Sequence, residues 1–259
     1  MLPILHVALP SYTLCICLGI AAGFLVTRQR AGLYGLRRRQ FAAGFAAAVL
    51  GAALGGRLFF LVQRLPDYLQ SGNLTPSGFI SFILHGGQVF YGGMLGAFLF
   101  IWLAAHLQGA SGWSLLDALL PALPLAQAFG RIGCLMAGCC YGLPGIGFYL
   151  PALGETVFPI QLAESICTFA IYVVLADMSQ RPLPSGRLLG SYLTLYGLTR
   201  FILEFFRGDA IRGFIGPLSV AQWISLLCIA AGVLLLRWAR QKTAPENGTA
   251  VPGSKARAI

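Results

Sequence analysis

Charged residues are scarce in this chain. They make up 10% of its 259 residues, against 57% hydrophobic, where a soluble domain carries about 25% charged. That shortage excludes an ordinary water-solvated surface. Polar sequence is confined to short connectors and a stretch after Arg240, so one helical bundle in a membrane is expected rather than several domains. No positively charged segment precedes the first apolar stretch, and no small-residue cleavage site clearly follows it. The stretch is therefore read as a retained helix and not as a cleaved signal peptide. No internal repeat is visible.

What charge there is runs to an excess of +10. Its placement argues against nucleic acid as a partner. Arg28, Arg30, Arg37, Arg38 and Arg39 crowd one connector, and Arg237, Arg240, Lys242, Lys255 and Arg257 follow the last apolar stretch. Basic clusters flanking apolar spans are what the positive-inside rule expects of cytoplasmic loops.

A membrane-crossing helix needs about 20 apolar residues. Windows of that kind fall at 9–26, 41–62, 89–105, 115–129, 159–176, 188–206 and 219–238, the fourth and fifth interrupted by Pro121, Pro124 and polar ends. The expected fold is an all-α membrane bundle of about seven transmembrane helices, formed by residues 1–240. Residues 241–259 have the Pro, Gly and Ala content of a disordered cytoplasmic tail. The connectors at 27–40, 106–114 and 177–187 hold five, zero and two basic residues, and the C-terminal stretch from Arg237 onward holds five. The opposite face holds Arg64, Arg131, Arg207 and Arg212. The N-terminus is therefore expected outside and the C-terminus in the cytoplasm. Polar groups gather on the outer connectors: 63–88, the segment from 130 through 158, and a third with Arg207, Asp209, Arg212 and Gly213.

Several ionisable residues interrupt the apolar windows: Arg57, Asp117, Glu164, Arg200 and Glu204. A charge at bilayer depth costs about 2.5–3.5 kcal/mol on insertion scales, so such residues usually face an interior site. A buried, positive pocket is expected, with an anionic ligand, a phospholipid headgroup being the most available. Arg200, Glu204 and Arg207 follow an i, i+4, i+7 spacing and share one face if the helix continues that far. Two readings stand for Arg200 and Glu204: a charge network tying helices together, or a ligand site. Arg207, nearer the interface, can bind phosphate through its planar fork of donors.

Gly86-Gly87 and Gly92-Gly93-Met94-Leu95-Gly96 bracket Gln88, Val89, Phe90 and Tyr91. Glycines can aim amides at an anion or let helices pack closely, and packing is favoured for Gly93 and Gly96. His85 is a candidate base or a hydrogen-bonding surface residue. Tyr12 and Tyr91 can donate to a lipid oxygen, or mark the membrane interface. The trio Cys134, Cys139 and Cys140 is too few for a zinc site, which normally takes four ligands, so no metal is expected. Three readings stand for it in this order: small packing residues, a disulfide, a catalytic thiolate.

Taken in order along nearly the whole chain, these elements resemble the prolipoprotein diacylglyceryl transferase family. Tyr12 stands where that family has a tyrosine on its first helix, and Gly55-Gly56-Arg57 looks like its GGR. Phe90-Tyr91-Gly92-Gly93-Met94-Leu95-Gly96 is similar to FHGGLIG, and Asp117 and Pro121 to the D…P before the signature. Gly130-Arg131-Ile132-Gly133 matches the opening of GR-x-GNF-x-N-x-E-x-x-G, and Gly142 its close. Pro159-x-Gln161-Leu162-x-Glu164-Ser165 looks like HP-x-QLYES. Leu195-Tyr196-Gly197-x-x-Arg200-Phe201 with Glu204-Phe205-Phe206-Arg207 is similar to YG-x-x-RF…EFFR. The departures are specific too. Tyr91 replaces the family's histidine, Cys134, Ala137 and Cys139 replace Asn, Asn and Glu, and Phe158 and Ala163 replace His and Tyr.

The resemblance implies an enzyme of the bacterial inner membrane that moves diacylglyceryl from phosphatidylglycerol to the cysteine thiol of a prolipoprotein. Its partners would be phosphatidylglycerol, prolipoprotein signal peptides and the bilayer, with no cofactor. The thiol, with a pKa of about 8.5, must be activated, and charge on the departing phosphate must be stabilised. Tyr91, His85, Arg131 and Arg200 are the catalytic candidates. Tyr12, Arg57, Gly92, Gly93, Gly142, Gln161, Glu164, Glu204 and Arg207 are the substrate-binding ones. The alternative is a divergent paralogue that binds an anionic phospholipid and acts on another acceptor or none.

Overall fold

The computed structural model describes residues 11–70, 75–85, 87–150, 154–181, 183–208 and 213–241. The expected tail from 242 onward, with Lys242, Lys255 and Arg257, lies outside the described residues, as do Asp209 and Arg212. The fold is mostly helical: α1 (Ser11–Arg28), α2 (Arg38–Gln70), α3 (Pro76–His85), α4 (Phe90–Leu107), α5 (Gly112–Leu119), α6 (Ala122–Ala137), α7 (Ile160–Met178), α8 (Arg187–Leu203) and α9 (Val220–Gln241). Among the described residues, six stretches are long and apolar enough to cross a membrane: α1, α2, α4, α5 with α6, α7 and α9. At 17 residues, α8 is about 25 Å long at 1.5 Å per residue, a little short of a hydrocarbon core of about 30 Å. Large apolar side chains point outward along these helices, with Leu58, Val62 and Leu227 64%, 65% and 69% exposed. In water such a surface would aggregate; against lipid it is solvated.

The helices depart from the apolar windows where hydropathy and helix formation part company. α2 runs past residue 62 to Gln70 and holds Pro66 within it. Beyond the apolar window its surface is mixed, with Leu65 and Leu69 exposed beside Arg64 and Asp67, which pair at 2.9 Å one turn apart. The expected connector after it contains α3. The fourth span is two helices, broken around Leu120 and Pro121, and α6 carries 130–137 as helix rather than loop. Gly130 and Gly133 are tolerated there because α1 packs on them: a Cβ at Gly133 would meet Cys15 at 3.1 Å. Two antiparallel hairpins were not anticipated. One joins β1 (Pro144–Leu150) to β2 (Glu155–Val157), and the other joins β3 (Phe214–Ile215) to β4 (Leu218–Ser219).

Neighbouring helices pair as α2 with α4, α8 with α9, and α1 with α6, which also packs on α7. The α2–α4 seam is built from glycine on both sides. Gly51 and Gly55 face Gly92 and Gly96 so closely that a Cβ on any of the four would run into the opposing chain, at all but Gly92 against its glycine backbone first. Small residues four apart allow this backbone approach in membranes.

The connectors of one end meet each other. Gln40 donates to the Gln108 carbonyl at 3.2 Å, Arg30 to that of Ala176 at 3.4 Å, and the Trp113 and Trp238 rings lie 5.8 Å apart. Beneath them Phe24, Phe41 and Phe45 stack around Leu115 and Ala118. At the other end, backbone bonds join 141–143 to 158 and 206–208. The site lies toward this second end.

Candidate functional site

Three arginine and glutamate side chains on α6, α7 and α8, and two just past the end of α8, form one network. Glu164, 3% exposed on α7, receives Arg131 of α6 at 3.0 Å and Arg200 of α8 at 2.5 Å, with Arg207 at 3.6 Å. The other amino group of Arg200 reaches Glu204 at 2.8 Å, and Ser219 donates to Glu204 at 3.0 Å. Three guanidiniums against two carboxylates leave one positive charge in excess. Helix geometry explains the Arg200–Glu204 pair, whose members are one turn apart. It does not explain Arg207. The expected i+7 position on a continuing helix is not formed, because α8 ends at Leu203 and tightens into a 3₁₀ turn over Glu204–Phe206. Arg207 is extended, at φ −82° and ψ 139°, and returns to Glu164 through the loop. Its backbone bridges to Gly142, where a Cβ would collide with the Phe158 carbonyl.

The network borders a cavity of about 420 Å³ whose wall includes Tyr12, Gln88, Arg131, Cys140, Tyr196 and Arg200. Its lining is mostly apolar, with a few convergent polar groups, which is the character of a ligand pocket. The geometry can hold a phosphate against guanidiniums while apolar chains lie along the walls.

The structure thus brings together Arg131, Arg200, Glu164, Glu204, Arg207 and Tyr12. Gln161, buried at 1%, donates to the Cys139 carbonyl at 2.7 Å and holds the loop after α6. Tyr91, in the first turn of α4, is within electrostatic reach of Arg200 and Glu204 without lining the cavity. His85 closes α3. Arg57 does not line the cavity; it donates to the carbonyls of Ile83, at 2.6 Å from Nε, and Gly87 at 3.0 Å, fastening α2 to α3 and the segment after it. Gly92 and Gly93 belong to the α2–α4 seam. Asp117, 2% exposed, lies toward the other end beside Tyr34. Burial pushes the Tyr34 hydroxyl up to about 12, and Asp117 adds to the shift. Gln127, Thr168 and Thr199 also line the cavity. They were not singled out in the sequence, although polar residues inside apolar windows are the signal that finds them.

The loop after α6 completes the wall. Gly138, left-handed at φ 69°, lets the Cys139 amide bond to the Cys134 carbonyl at 3.1 Å and its own amide to that of Leu135 at 3.2 Å. This is a Schellman cap. Cys140 follows at φ 56°, the one non-glycine residue of positive φ among the described residues. Its thiol is drawn down to about 5, first by the Cys134 thiol hydrogen bond, with Arg207 and Arg131 acting in the same direction against burial.

Comparison with known proteins adds to this geometry. The sequence model of prolipoprotein diacylglyceryl transferases matches residues 1–238. The phosphatidylglycerol–prolipoprotein diacylglyceryl transferase 2 of Clostridium perfringens (strain 13 / Type A) is 32% identical, over 92% of this chain and 94% of its own length. The transferase of Clostridium tetani is 31% identical over 86% and 90%, and that of Chlorobaculum tepidum 33% over 80% and 76%. A match across nearly all the spans, with Arg131, Glu164 and Arg200 gathered on one cavity and Glu204 paired to Arg200 behind them, makes this chain a member of the prolipoprotein diacylglyceryl transferase family.

Proposed function

We propose that the chain transfers a diacylglyceryl group from phosphatidylglycerol to the cysteine thiol of a prolipoprotein signal peptide. The observation that carries this reading is the buried network of three arginines and two glutamates, with one positive charge in excess, on a mostly apolar cavity. The acceptor sulfur attacks the glyceryl carbon bonded to the phosphate oxygen. A carbon–sulfur bond forms, the carbon–oxygen bond breaks, and glycerol phosphate leaves with the electron pair. Arg131 and Arg200, with Arg207 behind them, hold the phosphate and stabilise the charge gathering on its oxygen. Glu164 and Glu204 fix the guanidiniums in place, as fixed donors require. We assign the thiol proton to His85, at the end of α3; Tyr91, at the start of α4, keeps its own phenol proton at neutral pH, its ordinary pKa being about 10, and serves as a hydrogen-bond donor.

The same reading has the chain crossing the bacterial inner membrane seven times as one unit, residues 1–240, with α8 as the shortest span and 241–259 as a cytoplasmic tail. The cavity then opens toward the outer leaflet, where signal peptides emerge. The test is purified protein in phosphatidylglycerol vesicles with a peptide bearing an acceptor cysteine. A thioether-linked diacylglyceryl adduct on that cysteine is expected by mass spectrometry. Retention of phosphatidylglycerol with no adduct would instead favour the paralogue that binds the lipid and leaves prolipoproteins alone.

A further inference from the structure

Among the described residues, one group of three or more cysteine, histidine or carboxylate donors comes together closely enough to hold an ion: Cys134, Cys139 and Cys140, whose sulfurs all lie within 4.8 Å of one another. The backbone produces this convergence. A Schellman cap sets the side chain three residues before the helix end against the one just beyond the left-handed glycine, and that contact is ordinarily apolar. Here both positions are cysteine, Cys134 and Cys139. The left-handed Cys140 then turns the chain so that its thiol joins them.

The loop is held in this shape from several sides. Gln161 donates to the Cys139 carbonyl at 2.7 Å. The next residues are bonded to neighbouring chain, Gly142 to Phe158 at 3.1 Å and Leu143 to Phe206 at 3.0 Å. Such fixation suits a site whose ligands must not drift. With a metal–sulfur bond of about 2.3 Å, three thiolates around one ion in a plane are about 4 Å apart. The sulfurs therefore need to close by less than an ångström.

We propose that Cys134, Cys139 and Cys140 form a three-thiolate site for a soft monovalent metal ion, copper(I) being the ion whose coordination it matches. Soft thiolates select copper(I), which is satisfied by three of them in a plane, whereas structural zinc takes four ligands. One monovalent ion on three thiolates leaves two negative charges. Arg131 and Arg207 are near enough to act on the Cys140 sulfur, and the single positive charge in excess on the arginine–glutamate network offsets one of the two. Cys134 and Cys140 line the cavity, so the ion would become part of its wall.

The test uses the full chain in detergent, reduced and kept anaerobic, titrated with copper(I) against a coloured copper(I) chelator. Uptake of an equimolar amount, with thiolate-to-copper absorption in the ultraviolet, is expected. Losing an outer-shell partner of a metal site costs about 10–100-fold in affinity, so losing a ligand should cost at least about a hundredfold. That loss is expected separately for Cys134→Ser, Cys139→Ser and Cys140→Ser. Cys139 is exposed, so its variant folds even if that of the buried Cys134 does not. A variant with Cys17, Cys167 and Cys228 all changed to serine should bind as the parent does. Failure of the reduced parent to take up copper(I), as a trio committed to a disulfide or to inert packing would show, overturns the proposal. So does binding that survives loss of Cys139 and of Cys140. Neither result bears on lipid transfer, which is read separately.

Discussion

Glu164 binds three guanidiniums from three different parts of the chain, so its removal and the removal of an arginine should differ in kind. Glu164→Gln leaves Arg131, Arg200 and Arg207 facing one another with their shared carboxylate gone. Breaking a buried ion pair on one side costs about 3–5 kcal/mol, and a lower thermal midpoint in detergent is expected. Arg131→Ala removes the most exposed of the three arginines, 25% exposed at its side chain, and should cost less stability. Its effect should fall on the lipid. A charge-assisted hydrogen bond contributes about 1.5–3 kcal/mol, a loss of about tenfold to a hundredfold in phosphatidylglycerol retention by native mass spectrometry. The same loss is expected for Arg200→Ala. Unchanged retention in both would leave these arginines as ties between helices. The network was legible in the sequence because charge at bilayer depth requires a partner, which singled out Glu164, Arg200 and Glu204. The convergence of the thiols was not. It depends on Cys140 taking a left-handed backbone that neighbouring chain imposes, and no local pattern states that.

At the scale of elements, spacing proved more informative where it met a repeated residue type than where it met a single one. Gly51 and Gly55 stand four apart on α2, as Gly92 and Gly96 do on α4, and the two pairs face each other. Packing was the favoured reading for Gly96 from sequence, and the seam supports it. Gly96→Val would drive a branched side chain into the Gly51 carbonyl. Overpacking costs about 1–3 kcal/mol and sometimes more, and backbone on both sides leaves little room to relax. A clear fall in thermal midpoint is expected, with weaker transferase activity, because α4 carries Tyr91 and its entry segment places Gln88 on the cavity. Gly32→Ala, where a Cβ meets nothing within 4 Å, should leave both unchanged. Equal tolerance of the two substitutions would refute the seam. The hairpins escaped the sequence for a related reason. β1 and β2 are short, largely exposed and irregular in register between Pro144 and Phe148, so they lack the alternation that identifies a half-buried strand.

For the molecule as a whole, the orientation we propose rests on which connectors share an end. The connectors at 27–40, 106–114 and 177–187 were grouped from their alternation and their arginines. In the structure Gln40 bonds to Gln108, Arg30 to Ala176, and the Trp113 ring packs at a tilt against Trp238 at the close of α9. Four chain segments separated by three pairs of traverses can meet at one end only if each pair goes out and back. In the seven-span topology we propose, α8 is the remaining traverse, although its 17 residues make it the shortest. The 3₁₀ turn at Glu204–Phe206 extends it by three residues, adding about 6 Å at 2.0 Å per residue and bringing it to the thickness of the hydrocarbon core. The shared end is also where Arg28, Arg30 and Arg37–Arg39 lie, and the orientation we propose, following the positive-inside rule, puts it in the cytoplasm. Reporter fusions after Gly109 and after Gln241 should therefore both be active in the cytoplasm, and a fusion after Gly216, in the turn between β3 and β4, should be active only outside. A cytoplasmic signal at 216 would remove α8 or α9 as a traverse and put the arginine network on the wrong side for an acceptor that arrives from the outer face.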